Sequence, residues 1–338
     1  MTREEFRESV FKRDNHKCVI CKEEAQDAHH IIERRLFNNG GYHIDNGASL
    51  CAKHHIEAEK TILSCEEIRK TAGIEKIIKP NHFDKDSIYD KWGNIILPNG
   101  QRIIGELFYD DSVQKILKDV LDQFSTYIKF PKINHLPWSP GATSNDRIFN
   151  EKQIKEYFEG KEIVVTEKLD GENTSMYENY IHTRSIDGRN HPSRGWVKNL
   201  HSKIGFELPD GWRICGENVY AEHSIAYKNL TSYFYVFSIY NERNICLSWD
   251  DTRGYCKILG LETVPVLYRG IFDEDIIKKC FIGKSVFKGS EQEGYVIRLT
   301  HLFHFSIHSK CFAKYVRKDH VTTGHNWINK SVVKNKRR

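Results

Sequence analysis

The sequence predicts an α+β protein in which short helices accompany largely antiparallel sheets. Apolar residues make up 39% of the 338 residues and aromatic residues 12%, a composition that favours folded, β-rich structure over disorder. Runs rich in β-branched and aromatic residues follow one another closely, and two of them, 233–240 and 244–249, lie near enough to form a hairpin. The length allows two or three domains.

Periodicity, capping residues and turn residues predict the individual elements. Helices are predicted for residues 2–13, 49–60 and 112–128 and after Asp250 and Asp273, the former ending at Gly260. Strands are predicted for residues 162–167, 180–184, 213–217, 233–240, 244–249, 294–300 and 312–318. A hairpin with an Asn99-Gly100 turn is predicted within residues 94–108.

The net charge of +5 is unevenly distributed. From Lys310 to Arg338 there are nine Lys or Arg and one Asp, so this tail carries +8 and the rest of the chain −3. Such a tail fits a polyanionic partner such as nucleic acid. A solvated extension is the commoner explanation for a charge run by itself.

The sequence also indicates a compartment. No run of about 18 apolar residues occurs, and the N-terminal residues 1–5 are mostly charged, so we expect a cytoplasmic protein without a membrane partner. Nine cysteines fit a reducing compartment in which thiols stay free or bind metal.

Two pairs of closely spaced metal-binding residues lie near the N-terminus. Cys18-Val-Ile-Cys21 is followed by Cys51-Ala-Lys-His54. Two such pairs supply the four sulfur and nitrogen ligands of a tetrahedral structural Zn²⁺ site. We therefore predict a zinc module over residues 1–72.

The predicted zinc set does not use His29, His30, Asn46 or His55. Their order resembles the ββα-metal motif of HNH nucleases. The resemblance implies that His30 is the general base that activates water and that His29 and His55 hold a catalytic divalent metal, while Asn46 braces the loop. A zinc module that only binds nucleic acid is the alternative. Residues 73–130, with the hairpin and an amphipathic helix, are predicted to form a connecting subdomain.

The residues Glu167-Lys168-Leu-Asp170-Gly171 follow an apolar run and end in turn residues. A lysine at the end of a buried strand is a candidate nucleophile if desolvation or neighbouring cations depress its pKa. The Asp-Gly turn would let the backbone approach a phosphate closely. Taken alone, the pattern also fits a surface lysine before a hairpin turn.

Five further blocks follow Lys168 in order. They are His182-Thr-Arg184-Ser, Cys215-Gly-Glu217-Asn, Tyr233-Phe-Tyr-Val-Phe237-Ser, Glu293-Gly-Tyr-Val-Ile-Arg298 and Ala313-Lys314-Tyr-Val-Arg317. The series resembles the covalent nucleotidyltransferases, a superfamily of ATP-dependent ligases and mRNA capping enzymes, and most of all the nick-sealing RNA ligases of phages and bacteria. We therefore predict a ligase nucleotidyltransferase domain of antiparallel sheets over residues 131–338.

The resemblance implies an ATP-dependent ligase that seals 5′-phosphate and 3′-hydroxyl ends through AMP held on Lys168. It implies catalytic roles for Lys314, which would depress the pKa of Lys168, for Glu217, which would contact ribose or metal, and for Glu293, which would place Mg²⁺ or Mn²⁺. It implies nucleotide-binding roles for Glu167 and Phe237 at adenine, for Asn173 and Arg184 at phosphates, and for Arg317 or Lys310 as a second basic group.

Two departures and several alternatives stand beside this interpretation. The related phenylalanine block commonly reads Phe-Asp, whereas this chain has Phe237-Ser238, and the last block has one lysine where some relatives have two. Only about two dozen residues follow Lys314, which favours an RNA ligase over a DNA ligase with an added barrel. An HNH endonuclease with an accessory ligase and a capping-type guanylyltransferase are the other enzymes considered. The sequence leaves open whether the substrate is nicked or broken RNA, an RNA/DNA hybrid or DNA, and it leaves the oligomeric state open.

Overall fold

A computed structural model describes residues 1–98, 100–124, 126–186, 188, 190–318 and 332–338. The chain divides into two compact units, Met1–Thr126 and Tyr127–Arg338. The division into three parts at residues 72 and 130 stays a prediction. Within the described residues, no helix combines the length and the apolar character needed to cross a bilayer.

The first unit contains four helices and five strands in its described residues. The helices are α1 Arg3–Arg13, α2 Ala52–Glu59, α3 Cys65–Ala72 and α4 Asp111–Leu117. The strands are β1 Asp27–His30, β2 Gly47–Leu50, β3 Ile88–Tyr89, β4 Ile95–Ile96 and β5 Arg102–Ile103. As predicted, α1 begins at a capping box of Thr2 and Glu5 and buries one apolar face.

A hairpin followed by a helix forms the centre of this unit. β1 pairs antiparallel with β2, with His30 opposite Gly47, and α2 follows directly. The helix starts later than predicted, at Ala52 rather than Ser49. Ser49 and Leu50 instead extend β2 and pair with β1, and Cys51 is the N-cap.

Residues 73–126 add a small sheet and α4. The predicted hairpin is present, because β4 pairs antiparallel with β5, and β3 adds a third strand on β4. Asn99 of its turn lies outside the described residues. The helix predicted to reach Ile128 is shorter, because α4 gives way to a 3₁₀ helix over Lys118–Gln123. Both Leu117 and Val120 thereby face the core, since residues three apart align in a 3₁₀ helix.

The second unit is built on two largely antiparallel sheets. Its helices are α5 Glu151–Phe158, α6 Gly195–Ile204, α7 Trp249–Ile258, α8 Glu274–Lys278 and α9 His308–Cys311. Its strands are β6 Glu162–Lys168, β7 Glu172–Met176, β8 Ile181–Thr183, β9 Arg213–Asn218, β10 Phe234–Tyr240, β11 Ile245–Cys246, β12 Glu262–Thr263, β13 Val266–Ile271, β14 Gly294–Leu299, β15 Phe303–His304 and β16 Phe312–Val316.

The strand order is β15-β11-β10-β9-β7-β8 in the larger sheet, with β12 parallel to β10, and β13-β6-β14-β16 in the smaller one. Apolar side chains from both sheets, among them Val165, Cys215, Tyr240, Ile297 and Ala313, share one buried cluster. This core fixes the strands that carry Lys168, Glu217 and Lys314.

The predicted strand over residues 244–249 is largely wrong. Only Ile245–Cys246 is strand, and Trp249 begins α7 because the Ser248 side chain accepts a hydrogen bond from Asp251 N. This side chain therefore acts as an N-cap. The predicted strands 162–167, 213–217, 233–240, 294–300 and 312–318 are confirmed to within about two residues at each end.

Candidate functional sites

Lys168 is the last residue of β6, in the middle of the smaller sheet. Its side chain is 25% exposed, and its Nζ donates a hydrogen bond of 2.6 Å to Glu293 Oε2. Glu293 precedes β14, whose first residue, Gly294, pairs with Lys168. The register of two adjacent strands therefore brings the amine and this carboxylate together.

The chain turns sharply after Lys168, and the turn is held by hydrogen bonds. The Asp170 amide donates to Tyr227 Oη at 2.9 Å, and Asp170 Oδ2 accepts from the amides of Ser224 and Ile225 at 2.7 and 3.0 Å. The Gly171 amide donates to Glu217 Oε1 at 3.2 Å. A Cβ at Gly171 would lie 2.4 Å from a backbone oxygen, so glycine is required by this close approach.

Two buried carboxyl groups set the electrostatics around Lys168. Burial raises the pKa of Glu217 to about 8 and also raises the pKa of Glu293. Burial opposes the charge on Lys168, but the charges of Glu293 and Glu217 outweigh it, so the pKa of Lys168 is raised. The expectation that neighbouring cations depress this pKa is wrong, because the carboxylates dominate the surroundings of the amine.

Lys314 lies on β16, and Lys168 lies on β6; the two strands flank β14. Burial lowers the pKa of Lys314, and the charge of Lys168 lowers it further. Burial and the neighbouring charge of Lys168 therefore both favour the neutral form of Lys314. Arg317 follows β16, and its guanidinium contacts the carboxylate of Glu291 at 2.5 Å.

The larger sheet contributes a second group of polar side chains. Asn173 on β7 and Glu217 on β9 are register partners, so their side chains lie on the same face of the sheet. The Arg184 amide donates to Asn173 O at 3.0 Å, and its Nε donates to Phe130 O at 3.3 Å. The Asn173 Oδ1 atom is buried and accepts no hydrogen bond from the described residues.

The two candidate stacking rings differ in their surroundings. Val236 faces Gly216 and Ser238 faces Cys215, so Phe237 is the extra residue of a β-bulge in β10. Its ring is half-buried and lies 5.0 Å from that of Phe130. Phe234 is fully buried in an apolar cluster on the other face of the sheet. Phe237 is therefore the ring of the two that stays partly accessible.

Ser238 occupies the position of one departure noted in the sequence, and Glu167 directly precedes Lys168. The hydroxyl of Ser238 is buried and makes no hydrogen bond to any described residue. Glu167 is buried, its Oε2 accepts from the Val286 amide at 3.0 Å, and burial raises its pKa.

In the first unit, the four predicted zinc ligands lie together. The Cys18 Sγ to His54 Nδ1 distance is 3.4 Å, the Cys51 Sγ to His54 Nδ1 distance is 3.3 Å, and the Cys21 and Cys51 sulfurs are 3.7 Å apart. A tetrahedral zinc ion with bonds of about 2.0 to 2.3 Å separates its ligand atoms by about 3.3 to 3.8 Å. These residues fit a zinc ion.

A second cluster of metal-binding side chains contains His29, His55 and Glu59. Glu59 Oε1 lies 3.5 Å from His29 Nδ1 and 3.3 Å from His55 Nε2. Sequence reasoning missed Glu59, although its position four residues after His55 on a helix was a usable signal, since such residues share one face. The buried Lys91 also reaches this cluster, with its Nζ 3.1 Å from Glu59 Oε1 and 2.9 Å from the His30 carbonyl.

His30 follows His29 in β1 and pairs with Gly47, the residue after Asn46. The His30 ring stacks on Phe6 at 4.4 Å, and burial lowers its pKa to about 4, so the imidazole is neutral at pH 7. Asn46 is buried and exchanges two hydrogen bonds of 3.0 Å with the backbone of Ile32. The Asn46 side chain therefore connects the residues before β2 to those that follow β1.

Residues 161–316 match the model of the protein family described as RNA ligase. The matched segment covers slightly less than half of the chain and includes Lys168, Glu217, Glu293 and Lys314. It supports a ligase function for this part of the protein. None of the curated proteins matches the chain.

Solved ligase structures are also similar to this chain, at low identity. A mutant of the Naegleria gruberi RNA ligase with AMP and Mn is 17% identical over 57% of this chain and 56% of that one, with a TM-score of 0.40. The same enzyme with PPi is 17% identical over 80% and 70%, with a TM-score of 0.41. An archaeal ATP-dependent RNA ligase is 18% identical over 56% and 48%, with a TM-score of 0.37. The chain spans about half the length of the first of these structures and of the archaeal one.

Proposed function

We propose, from the RNA ligase match of residues 161–316, that the second unit is an ATP-dependent polynucleotide ligase that seals RNA or RNA-terminated ends. The observation that carries the proposal is the position of Lys168 inside the matched segment. Lys168 lies at the end of a strand, its side chain is partly exposed, and its amine contacts the carboxylate of Glu293. We propose nucleic acid as the partner and the cytoplasm as the location.

The first step is attack of the Lys168 Nζ lone pair on the α-phosphorus of ATP. The new P–N bond forms as the bond from the α-phosphorus to the bridging oxygen breaks, and pyrophosphate leaves with that electron pair. The amine must lose its proton, and the Glu293 carboxylate already accepts a hydrogen bond from it at 2.6 Å. Lys314 would balance the phosphate charge, so positioning and charge neutralisation supply most of the rate.

In the second step, AMP moves from Lys168 to a 5′-phosphate, and the amine is released. In the third, a 3′-hydroxyl attacks the same 5′-phosphate, and AMP departs as a phosphodiester forms. Glu217 and Glu293 have the oxygen ligands that a Mg²⁺ or Mn²⁺ ion prefers, and the ion would neutralise phosphate charge when bound. We propose Phe237 and Glu167 for adenine, and Asn173, Arg184 and Arg317 for phosphate contacts.

Covalent labelling with α-labelled ATP and Mg²⁺ tests this function. We expect label that survives denaturation, is released by acid as from a phosphoramidate, and is removed by added pyrophosphate. Labelled GTP in a parallel reaction distinguishes a capping-type guanylyltransferase. Absence of ATP label under both Mg²⁺ and Mn²⁺ contradicts the ligase proposal.

We propose a second activity, metal-dependent nucleic-acid cleavage, for the first unit. The cluster of His29, His55 and Glu59, together with the neutral His30 that follows His29 in β1, supports it. His30 would take a proton from the attacking water, and a divalent ion held by the cluster would stabilise charge on the phosphate when bound. The alternative is a zinc module that recognises nicked or structured nucleic acid and never cuts.

The His30→Ala variant tests the cleavage activity on a panel of RNA, DNA and hybrid duplexes with Mg²⁺ or Mn²⁺. We expect the cleavage rate to fall by about 10²-fold or more, because general-base catalysis contributes that much. ATP labelling of the same variant should stay at the wild-type level, and its zinc content serves as the folding control for the first unit. Undiminished cleavage by His30→Ala would contradict the nuclease assignment. A wild-type protein that binds nucleic acid but does not cut it would support the binding role.

A further inference from the structure

The last seven described residues, 332–338, lie along the loop that joins β9 to β10; we call them the C-terminal strap. The backbone exchanges hydrogen bonds with this loop throughout: Glu222 N donates to Val333 O at 2.8 Å, and Asn335 N donates to Tyr220 O at 2.9 Å. Further along, Lys336 N donates to Tyr227 O at 3.0 Å. The strap therefore extends the loop in the manner of an added strand.

Asn335 anchors the strap. It is 1% exposed, and its Oδ1 accepts from the Tyr227 amide at 2.6 Å. Its Nδ2 donates to the carbonyls of Val219 and Ala221 at 2.8 and 3.1 Å. Its own carbonyl accepts from Tyr233 Oη at 3.1 Å. One buried carboxamide thus satisfies three backbone groups at separate points of the loop.

The same loop holds the turn after the nucleophile. The Tyr227 amide donates a hydrogen bond to Asn335 Oδ1. The hydroxyl of the same tyrosine accepts a hydrogen bond from the Asp170 amide at 2.9 Å. Ser224 and Ile225 bind the Asp170 carboxylate. The contacts run without interruption from Asn335 through Tyr227 to Asp170, which is two residues from Lys168.

The loop between β9 and β10 contains no helix or strand. Ordering each residue costs backbone entropy, so such a segment needs outside contacts to hold one conformation. Removing the Asn335 side chain would leave one amide and two carbonyls of the loop without partners in the interior, which is unfavourable for buried polar groups. The order of this loop therefore depends on its contacts with the strap.

We propose that the C-terminal strap is an intramolecular clamp and that Asn335 is a positioning residue for Lys168. By fixing the loop, Asn335 holds the Asp170-Gly171 turn and with it the direction of the Lys168 amine. The clamp is therefore required for transfer of AMP to Lys168. This inference rests on the proposed ligase function, and it assigns part of the basic tail a structural role.

The Asn335→Ala variant tests the clamp against Val333→Ala, a change in the same strap at a side chain that is 55% exposed. We expect the single-turnover rate of ATP labelling at saturating ATP to fall about 10- to 100-fold in Asn335→Ala, because a small misplacement of reacting groups has that effect. Val333→Ala should label at the wild-type rate. An Asn335→Ala rate equal to that of Val333→Ala overturns the proposal.

Rescue in trans separates positioning from a loss of folding. A variant that lacks residues 332–338 should regain labelling when a synthetic peptide of those seven residues is added, in a saturable manner, whereas the peptide with Ala in place of Asn335 should fail. Equal rescue by both peptides contradicts the role of Asn335.

Amide hydrogen exchange provides a readout that does not depend on ATP chemistry. We expect Asn335→Ala to expose the amides of Asp170 and Tyr227 to exchange, with β14 and β16 still protected as in the wild type. Unchanged protection at Asp170 rejects the clamp. If the wild type takes up no label at all, the ligase function fails, and the exchange result alone decides whether the strap orders the turn.

Discussion

Replacing Lys168 by alanine should abolish covalent labelling by ATP, with a loss of about 10³-fold or more, as expected when a nucleophile is removed. Lys168→Arg should lose as much activity. An arginine keeps the positive charge beside Glu293, but its guanidinium stays protonated in proteins and offers no lone pair to phosphorus. The pair of variants therefore separates nucleophilic chemistry from charge balance. Gel detection of label after denaturation provides the measurement.

Lys161→Ala is the matched control for this experiment. Lys161 precedes β6 at the end opposite Lys168, and its amine donates to the carbonyls of Glu156 and Tyr157. It should label like the wild type. Equal labelling of Lys168→Ala and wild type would show that another residue holds the nucleotide, and the central proposal would be wrong.

Removing the ion from the Cys18, Cys21, Cys51 and His54 cluster should unfold the first unit. Zinc binding in small metal-stapled modules contributes about 10 to 16 kcal/mol, which is as large as the whole stability of a typical domain, about 5 to 15 kcal/mol. We expect Cys18→Ser to lose one zinc per chain and to lose the cooperative thermal transition of this unit. Metal analysis and calorimetry of the full chain measure both effects.

Cys65→Ser distinguishes loss of a ligand from loss of a buried thiol. Cys65 lies in the same unit, is buried, and donates its thiol proton to the Ile31 carbonyl rather than joining the cluster. It should retain its zinc and most of its stability. Zinc content that is the same in Cys18→Ser and Cys65→Ser contradicts the zinc assignment.

Local signals predicted much of the fold and the four residues of the cysteine-containing cluster. Cys18 and Cys21 are spaced as in a tight turn, and Cys51 and His54 are spaced as in one turn of a helix. The structure brings these four side chains together. The strand that ends at Lys168 was recognisable from its apolar run and the Asp-Gly turn. Such features depend on a few neighbouring residues, so a pattern is enough to find them.

Other features depend on residues that are distant in the sequence. The direction of the Lys168 pKa is set by Glu293 and Glu217, which reach the amine only through strand pairing and the turn. The strand β7 was missed because Glu172-Asn-Thr-Ser-Met has little apolar character, and its pairing with β9 decides its structure. The bulge at Phe237 leaves no mark in the sequence, since it results from the register between β9 and β10.

Two consecutive residues of α2 join different clusters, which has a thermodynamic consequence. His54 belongs to the cysteine cluster and His55 to the cluster with His29 and Glu59. Because α2 is rigid, a shift of the helix that improves the position of His54 in the first cluster also moves His55 in the second cluster. An ion at one cluster would then alter the affinity of the other for its own ion, and linkage requires the two factors to be equal. Titrating either metal in the presence and absence of the other would measure this coupling free energy.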